Sequence, residues 1–162
     1  MDTALLLKKV IAYDRGDARR IQHLLKVYAY ADLLASLEGI DGRTKEILNT
    51  AAILHDIGIH QAEKQYGSAA GKFQEKTGPV EARKILTSLT DDAALIDRVC
   101  FLIGHHHTYT GVNGIDWQLL LEADFLVNAY EDGLTATGIM AAAERFFKSK
   151  SGLALLQDTF AI

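Results

Sequence analysis

The sequence predicts an all-α protein in one domain, and three observations carry that prediction. Apolar residues recur at intervals of three and four along most of the chain. No stretch alternates apolar and polar as a half-buried strand would, and the 162 residues contain a single proline. The length suits one domain over residues 1–162, enough for a substantial core and short for two.

The elements follow in order. Leu5, Leu6, Val10 and Ile11 fall on one side of a helix that runs from Asp2 to about Tyr13. Asp14-Arg15-Gly16-Asp17 breaks the pattern, and Asp17 is placed to cap the next helix through its side-chain oxygen. That helix, from Ala18 to about Leu37, carries Ile21, Leu24, Leu25, Tyr28, Ala31, Leu34 and Ala35 at helical spacing, with Gly39 as its stop. His23 lies within it, and Arg20, three residues earlier, shares its face as either a phosphate contact or a solvated, salt-bridged surface residue. A third helix runs from Thr44 through Ile47, Leu48, Ala51 and Leu54 to His55-Asp56 and ends near Gly58. Gln61 to Thr77 is polar and weakly periodic, so it reads as a long loop with at most one short helix. His60 is taken as a surface residue beside it.

Gly78-Pro79 starts the next helix, with proline at the first helical position. A further helix through Leu95, Val99, Leu102 and Ile103 runs into His105-His106-His107. After a turn-rich stretch from Thr108 to Gly114, Trp117, Leu120, Leu121, Asp124, Phe125 and Val127 form another, with Glu122 assigned to its exposed face. Helices over 139–147 and 153–160 close the chain; their apolar residues either pack on the core or form a homodimer face.

Composition excludes several functions. A hydrophobic fraction of 49% with 23% charged residues is that of a globular protein. No apolar run approaches the roughly 20 residues of a membrane span, and the opening Met1-Asp2 with early lysines does not read as a secretory signal. We therefore expect a cytoplasmic protein without a membrane partner. A net charge of -4 gives no basic field for duplex nucleic acid. The lone Cys100 sits among apolar neighbours as a buried thiol and cannot form an internal disulfide. Gly67-Ser68-Ala69-Ala70-Gly71-Lys72-Phe73 has the wrong glycine spacing for a phosphate-binding loop and no preceding strand, although Lys72 could still reach an anion.

The chemistry-bearing residues are His23, the adjacent His55-Asp56, the triplet His105-His106-His107, and Asp124 inside an apolar run. A buried aspartate is costly unless it is paired, hydrogen-bonded or metal-bound, and this series of imidazoles and carboxylates suits one hydrolytic metal. Neighbouring side chains diverge, so only some of the three consecutive histidines point inward.

The order His23, His55-Asp56, Asp124 on successive helices, with Ala51-Ala52-Ile53-Leu54-His55-Asp56-Ile57-Gly58 and the later Ile103-Gly104-His105-His106-His107, resembles the HD superfamily of metal-dependent phosphohydrolases. The similarity covers about residues 20–132, with helices over 138–160 expected to pack on that core. It implies an HD-type helical bundle in which His23, His55, Asp56 and Asp124 bind one divalent metal. His106, three residues after Ile103, or His107 would face the bound phosphate, with His106 preferred. Asp56 and His106 are the expected catalytic pair, and Arg20, His107 and Lys72 the expected substrate contacts. The substrate would be a nucleotide or another small phosphorylated metabolite. Ligand type favours manganese, iron, cobalt or nickel, with magnesium and zinc also compatible. Two departures narrow the expectation. Two-metal members carry a histidine just before a proline where this chain has Gly78-Pro79, so the second metal site should be incomplete. Ile59 and Thr108-Tyr109-Thr110-Gly111 stand where the cyclic-dinucleotide branch has its lysine and its glycine-tyrosine-proline signature. A binding module that keeps the metal without turnover, and a non-haem iron oxygenase, are the alternatives.

Overall fold

A computed structural model describes residues 1–162 as nine helices with no strand. They are α1 (Thr3–Tyr13), α2 (Ala18–Leu37), α3 (Gly42–Leu54), α4 (Ile59–Tyr66), α5 (Gly71–Thr87), α6 (Ala93–Ile103), α7 (Ile115–Glu131), α8 (Ala136–Phe146) and α9 (Lys150–Phe160). Side-chain caps set most of the starts. Asp2, Asp17, Asp92, Thr135 and Ser149 each accept a backbone N–H from the first turn of the helix they precede, satisfying donors that the helix itself leaves free.

The centre of the bundle is α7, packed against α2 and α3, with α6 and α9 on its other sides. Its interior residues, Trp117, Leu119, Leu120, Leu121, Ala123, Leu126 and Val127, are almost wholly buried. They join apolar side chains of α1, α2, α3 and α6 in one continuous core. The α4–α5 pair lies on α6, and α1 covers α3. No helix is long and apolar enough to cross a membrane.

Three sequence expectations are corrected here. Most of the stretch from Gln61 to Thr77 is helical, divided between α4 and α5, and Gly67 at φ 65° makes the left-handed turn that ends α4. Its helicity is masked because α4 buries only Ile59 and Ala62, while the buried face of α5 includes Gln74, Thr77, Gly78 and Glu81. Pro79 accordingly lies inside α5 rather than at its start. Gly104 packs on it closely: a Cβ there would stand 3.2 Å from the proline ring.

Glu122 is fully buried rather than exposed. Its carboxylate accepts from Gln118 Nε2 at 2.7 Å, Lys148 N at 2.7 Å, Ser149 N at 3.0 Å and the Ser149 hydroxyl. These bonds anchor the start of α9 to α7, and Gly152 passes so close that an added Cβ would sit 2.0 Å from Glu122 Oε2. The C-terminal helices therefore dock on the bundle through a buried carboxylate as well as through Leu156.

The third correction concerns the turn that carries the His-Asp pair. α3 ends at Leu54, so residues 55–58 form a separate turn before α4. α5 crosses that turn almost backbone to backbone. A Cβ on Gly58 would lie 2.4 Å from Gly78 N, and Thr77 Oγ1 donates to Gly58 O at 2.8 Å. Any side chain at Gly58 would block this approach, which holds the turn carrying His55 and Asp56 against α5.

Candidate metal centre and adjoining cleft

Four elements deliver side chains to one point: α2 supplies His23, the turn after α3 supplies His55 and Asp56, α7 supplies Asp124, and the turn after α6 supplies His106. His23 Nε2 lies 3.2 Å from His55 Nε2 and 3.2 Å from Asp124 Oδ1. Asp56 Oδ2 stands 3.6 Å from both ring nitrogens, and Asp124 Oδ1 stands 3.5 Å from His55 Nε2. Ligands in adjacent positions around an ion with bonds of about 2.1 Å are separated by roughly 3 Å, so this spacing fits a divalent ion with little rearrangement.

The hydrogen bonds behind the rings fix which atoms face inward. His55 Nδ1 donates to Ala52 O at 2.8 Å, and His23 Nδ1 contacts Glu131 Oε2 at 2.9 Å, itself held by Lys26. With Nδ1 of each ring engaged from behind, both rings turn Nε2 toward each other and toward two carboxylates, the orientation in which deprotonated Nε2 atoms would face a shared metal. A divalent cation between them satisfies that arrangement, as does, in its absence, a proton held on His23 Nε2. His106 repeats it: Nδ1 is engaged by Ile103 O at 2.7 Å, and the buried Nε2 has no hydrogen-bond partner while lying 3.5 Å from Asp56 Oδ1. Asp56 thus faces two ways, Oδ2 to His23 and His55, Oδ1 to His106.

The electrostatics agree. Burial opposes charge on His23, but Asp124, Asp56 and Glu131 outweigh it and push its pKa up to about 9. Burial also opposes charge on His55, and Asp56 and Asp124 again raise it. The two carboxyls answer in kind. Burial favours the neutral acid in each, yet His55 and His106 hold Asp56, and His23 and His55 hold Asp124, well below the usual carboxylate range.

A polar cleft of about 290 Å³ opens onto His23 and Asp56, bordered by Asp17, Arg19, Arg20, Asn128 and Glu131. Of the residues expected from sequence, the structure brings His23, His55, Asp56, Asp124 and His106 together and puts Arg20 on this cleft. His107 lies behind, its ring against Gly71 and its Nε2 3.2 Å from Gln74 Oε1. Its pKa is lowered to about 4, first by burial and then by His106. Asp56, His106 and His107 nonetheless have ligand atoms within 4.8 Å of one another. His105 turns away, stacked on Phe101 at 4.2 Å. Lys72 is exposed, with its ammonium 4.9 Å over the Phe73 ring and no part in lining the cleft. Position 78 offers no ligand and no room for one, since a Cβ on Gly78 would stand 2.7 Å from Ile103 Cγ2.

Asn128 and Glu131 escaped the sequence reading. Asn128 Nδ2 donates to Asp124 Oδ1 at 2.9 Å, and Glu131 orients His23. They lie four and seven residues after Asp124, on the same helix face, and that spacing was the available signal.

A helical bundle with an interior histidine-carboxylate centre is the class of protein this geometry defines. The HD domain family matches residues 20–130, and the chain belongs to that family. The structure is also similar to the crystal structure of a protein from an uncultured Thermotogales bacterium described as a predicted HD superfamily hydrolase. The TM-score is 0.71 at 22% identity, covering 98% of this chain and 85% of the other, and the likeness establishes a shared fold. No curated protein matches the sequence.

Proposed function

We propose that this protein is a metal-dependent phosphohydrolase acting on a nucleotide or another small phosphorylated metabolite. The observation that carries the reading is the convergence of two imidazole Nε2 atoms and two ionised carboxylates at 3.2–3.6 Å beside a polar, arginine-bordered cleft. His23, His55, Asp56 and Asp124 would hold one divalent metal, of the manganese, iron, cobalt or nickel kind before magnesium or zinc. When bound, the metal polarises a phosphoryl oxygen and makes water more acidic.

The remaining steps belong to the protein's own groups. Asp56 is the one member of the cluster with substantial solvent access, its side chain 23% exposed, so it is the group that meets the attacking water and takes its proton. That proton has a path: His106 Nε2 lies 3.5 Å from Asp56 Oδ1 and has an open lone pair. Once protonated, His106 donates toward negative charge growing on the phosphoryl or leaving oxygen. Its Nδ1 bond to Ile103 O keeps the ring from rotating away. Arg20 stands on the cleft three residues from His23, where its guanidinium recognises the phosphate.

The test is phosphate release from a panel of nucleotides and small phosphate esters, with each metal restored to chelated protein. Wild type should turn over at least one ester and His55→Ala none. Bound metal with no release from any ester would favour a binding module, and metal-dependent consumption of dioxygen would favour an oxygenase.

A further inference from the structure

The proposed mechanism leaves one buried carboxylate unused. Asp14 is 6% exposed and caps the C-terminus of α1, where the helix dipole disfavours negative charge. A carboxylate in that position needs a compensating partner, and the structure supplies one. His60 Nε2 stands 3.3 Å from Asp14 Oδ1, and the same ring receives Arg20, whose NH1 lies 3.0 Å from His60 Nδ1 and 3.3 Å from Nε2. A guanidinium can only donate and a carboxylate only accept, so the closer approach of NH1 to Nδ1 and the Asp14 contact at Nε2 assign the lone pair to Nδ1 and the ring proton to Nε2. The chain runs Asp14, His60, Arg20 and ends on the cleft.

Arg20 is held from two further sides. NH1 lies 2.8 Å from Asp17 Oδ2 and NH2 2.8 Å from Glu63 Oε1. These contacts take the NH1 hydrogens and one hydrogen on NH2, leaving Nε–H and the second NH2 hydrogen without a protein acceptor. Two donors in a fixed fork are the pattern that matches two oxygens of a phosphate. The sequence links the parts: Arg20 is three residues before His23, one turn earlier on α2, and His60 lies in the first turn of α4, directly after the turn that carries His55 and Asp56.

We infer that Asp14 and His60 are positioning residues that fix the guanidinium of Arg20 as a fork for the phosphate group of the substrate. Asp14 selects the His60 tautomer, His60 accepts from NH1, and Asp17 and Glu63 complete the frame. The inference rests on the hydrolase reading for its ligand, and on the contacts above for its geometry.

A double-mutant cycle tests it. Inorganic phosphate is titrated calorimetrically into manganese-loaded wild type, His60→Ala, Arg20→Ala and the double variant, each checked for an unchanged circular dichroism spectrum. Loss of one hydrogen bond to a charged group predicts about a tenfold weaker affinity for His60→Ala. In the Arg20→Ala background the same change should have almost no effect. His60→Gln, whose amide oxygen can accept from Arg20 while its NH2 faces Asp14, should recover most of the affinity. With an active ester, KM should rise far more than kcat falls.

Equal losses from His60→Ala in both backgrounds, or phosphate affinity untouched by Arg20→Ala, would overturn the positioning role. Either result alongside intact phosphate release would leave the hydrolase reading standing. Absent phosphate release with the coupling present would do the reverse.

Discussion

The raised pKa of His23 makes the metal-free protein lose stability as the pH rises, the reverse of what a histidine buried in its neutral form does. The perturbation is a rise in pH from 6 to 9.5 after chelation. His23 moves from 6.5 to about 9 on folding, and at 8% side-chain exposure little is lost to solvent screening. A shift of that size is worth about 3 kcal/mol. Because the folded state binds the proton more tightly than the unfolded chain, the contribution is complete below pH 6.5. It declines above that and is gone once the pH passes about 9. Asp56 and Asp124 form the other side of the same ion pairs, so their depressed pKa values add no second contribution in this window. For a chain of this length the change corresponds to a loss of about 6 to 12 °C in Tm. Thermal unfolding of chelated protein, compared at each pH with His23→Gln to subtract other groups, measures it. A saturating divalent metal, which takes the proton's place, should remove the decline. A wild-type minus His23→Gln difference that stays constant from pH 6 to 9.5 would refute the reasoning.

Other predictions concern the frame around the centre. Glu122→Ala strips four donors of their shared acceptor and should cost about 3 kcal/mol or more in urea unfolding, with α9 becoming accessible to limited proteolysis. Gly58→Ala drives a Cβ into the Gly78 backbone at 2.4 Å and should destabilise by about 1–3 kcal/mol while lowering metal occupancy, because the turn carrying His55 and Asp56 must move. Gly71→Ala puts a Cβ 2.6 Å from the His107 ring, and the His107 NMR resonances should shift while metal stoichiometry stays unchanged. Lys72→Ala removes an exposed ammonium that does not border the cleft, so phosphate release should stay within about twofold of wild type, whereas Arg20→Ala should lose at least tenfold in kcat/KM.

The parts of the site that were legible in the sequence are those that break the apolar pattern of a buried helix. His23 and Asp124 are polar residues on faces otherwise filled by leucine, alanine and valine, and His55-Asp56 ends the most uniformly apolar stretch of α3. The same rule misled at Glu122, where a carboxylate on a buried helix is satisfied by backbone donors some 26 residues downstream that local spacing cannot reveal. α4 and α5 were hidden for the converse reason. The packing of α5 against the His-Asp turn uses Thr77 and Gly78 in place of large apolar side chains, and Gln74 and Glu81 add polar residues to its buried face. His60, read as a surface residue, is partly exposed, and its contacts with Asp14 and Arg20 join positions 40 or more residues apart, which local spacing cannot reveal.

The central claim is that His23, His55, Asp56 and Asp124 form one metal-binding centre. Calorimetric titration of manganese into chelated protein at pH 7 in two buffers of different ionisation enthalpy tests it most directly. The account predicts one ion per chain, with about one proton released as His23 gives up its Nε2 hydrogen, and neither heat nor occupancy in Asp124→Ala. Binding that survives Asp124→Ala unchanged, or binding without proton release, would contradict it.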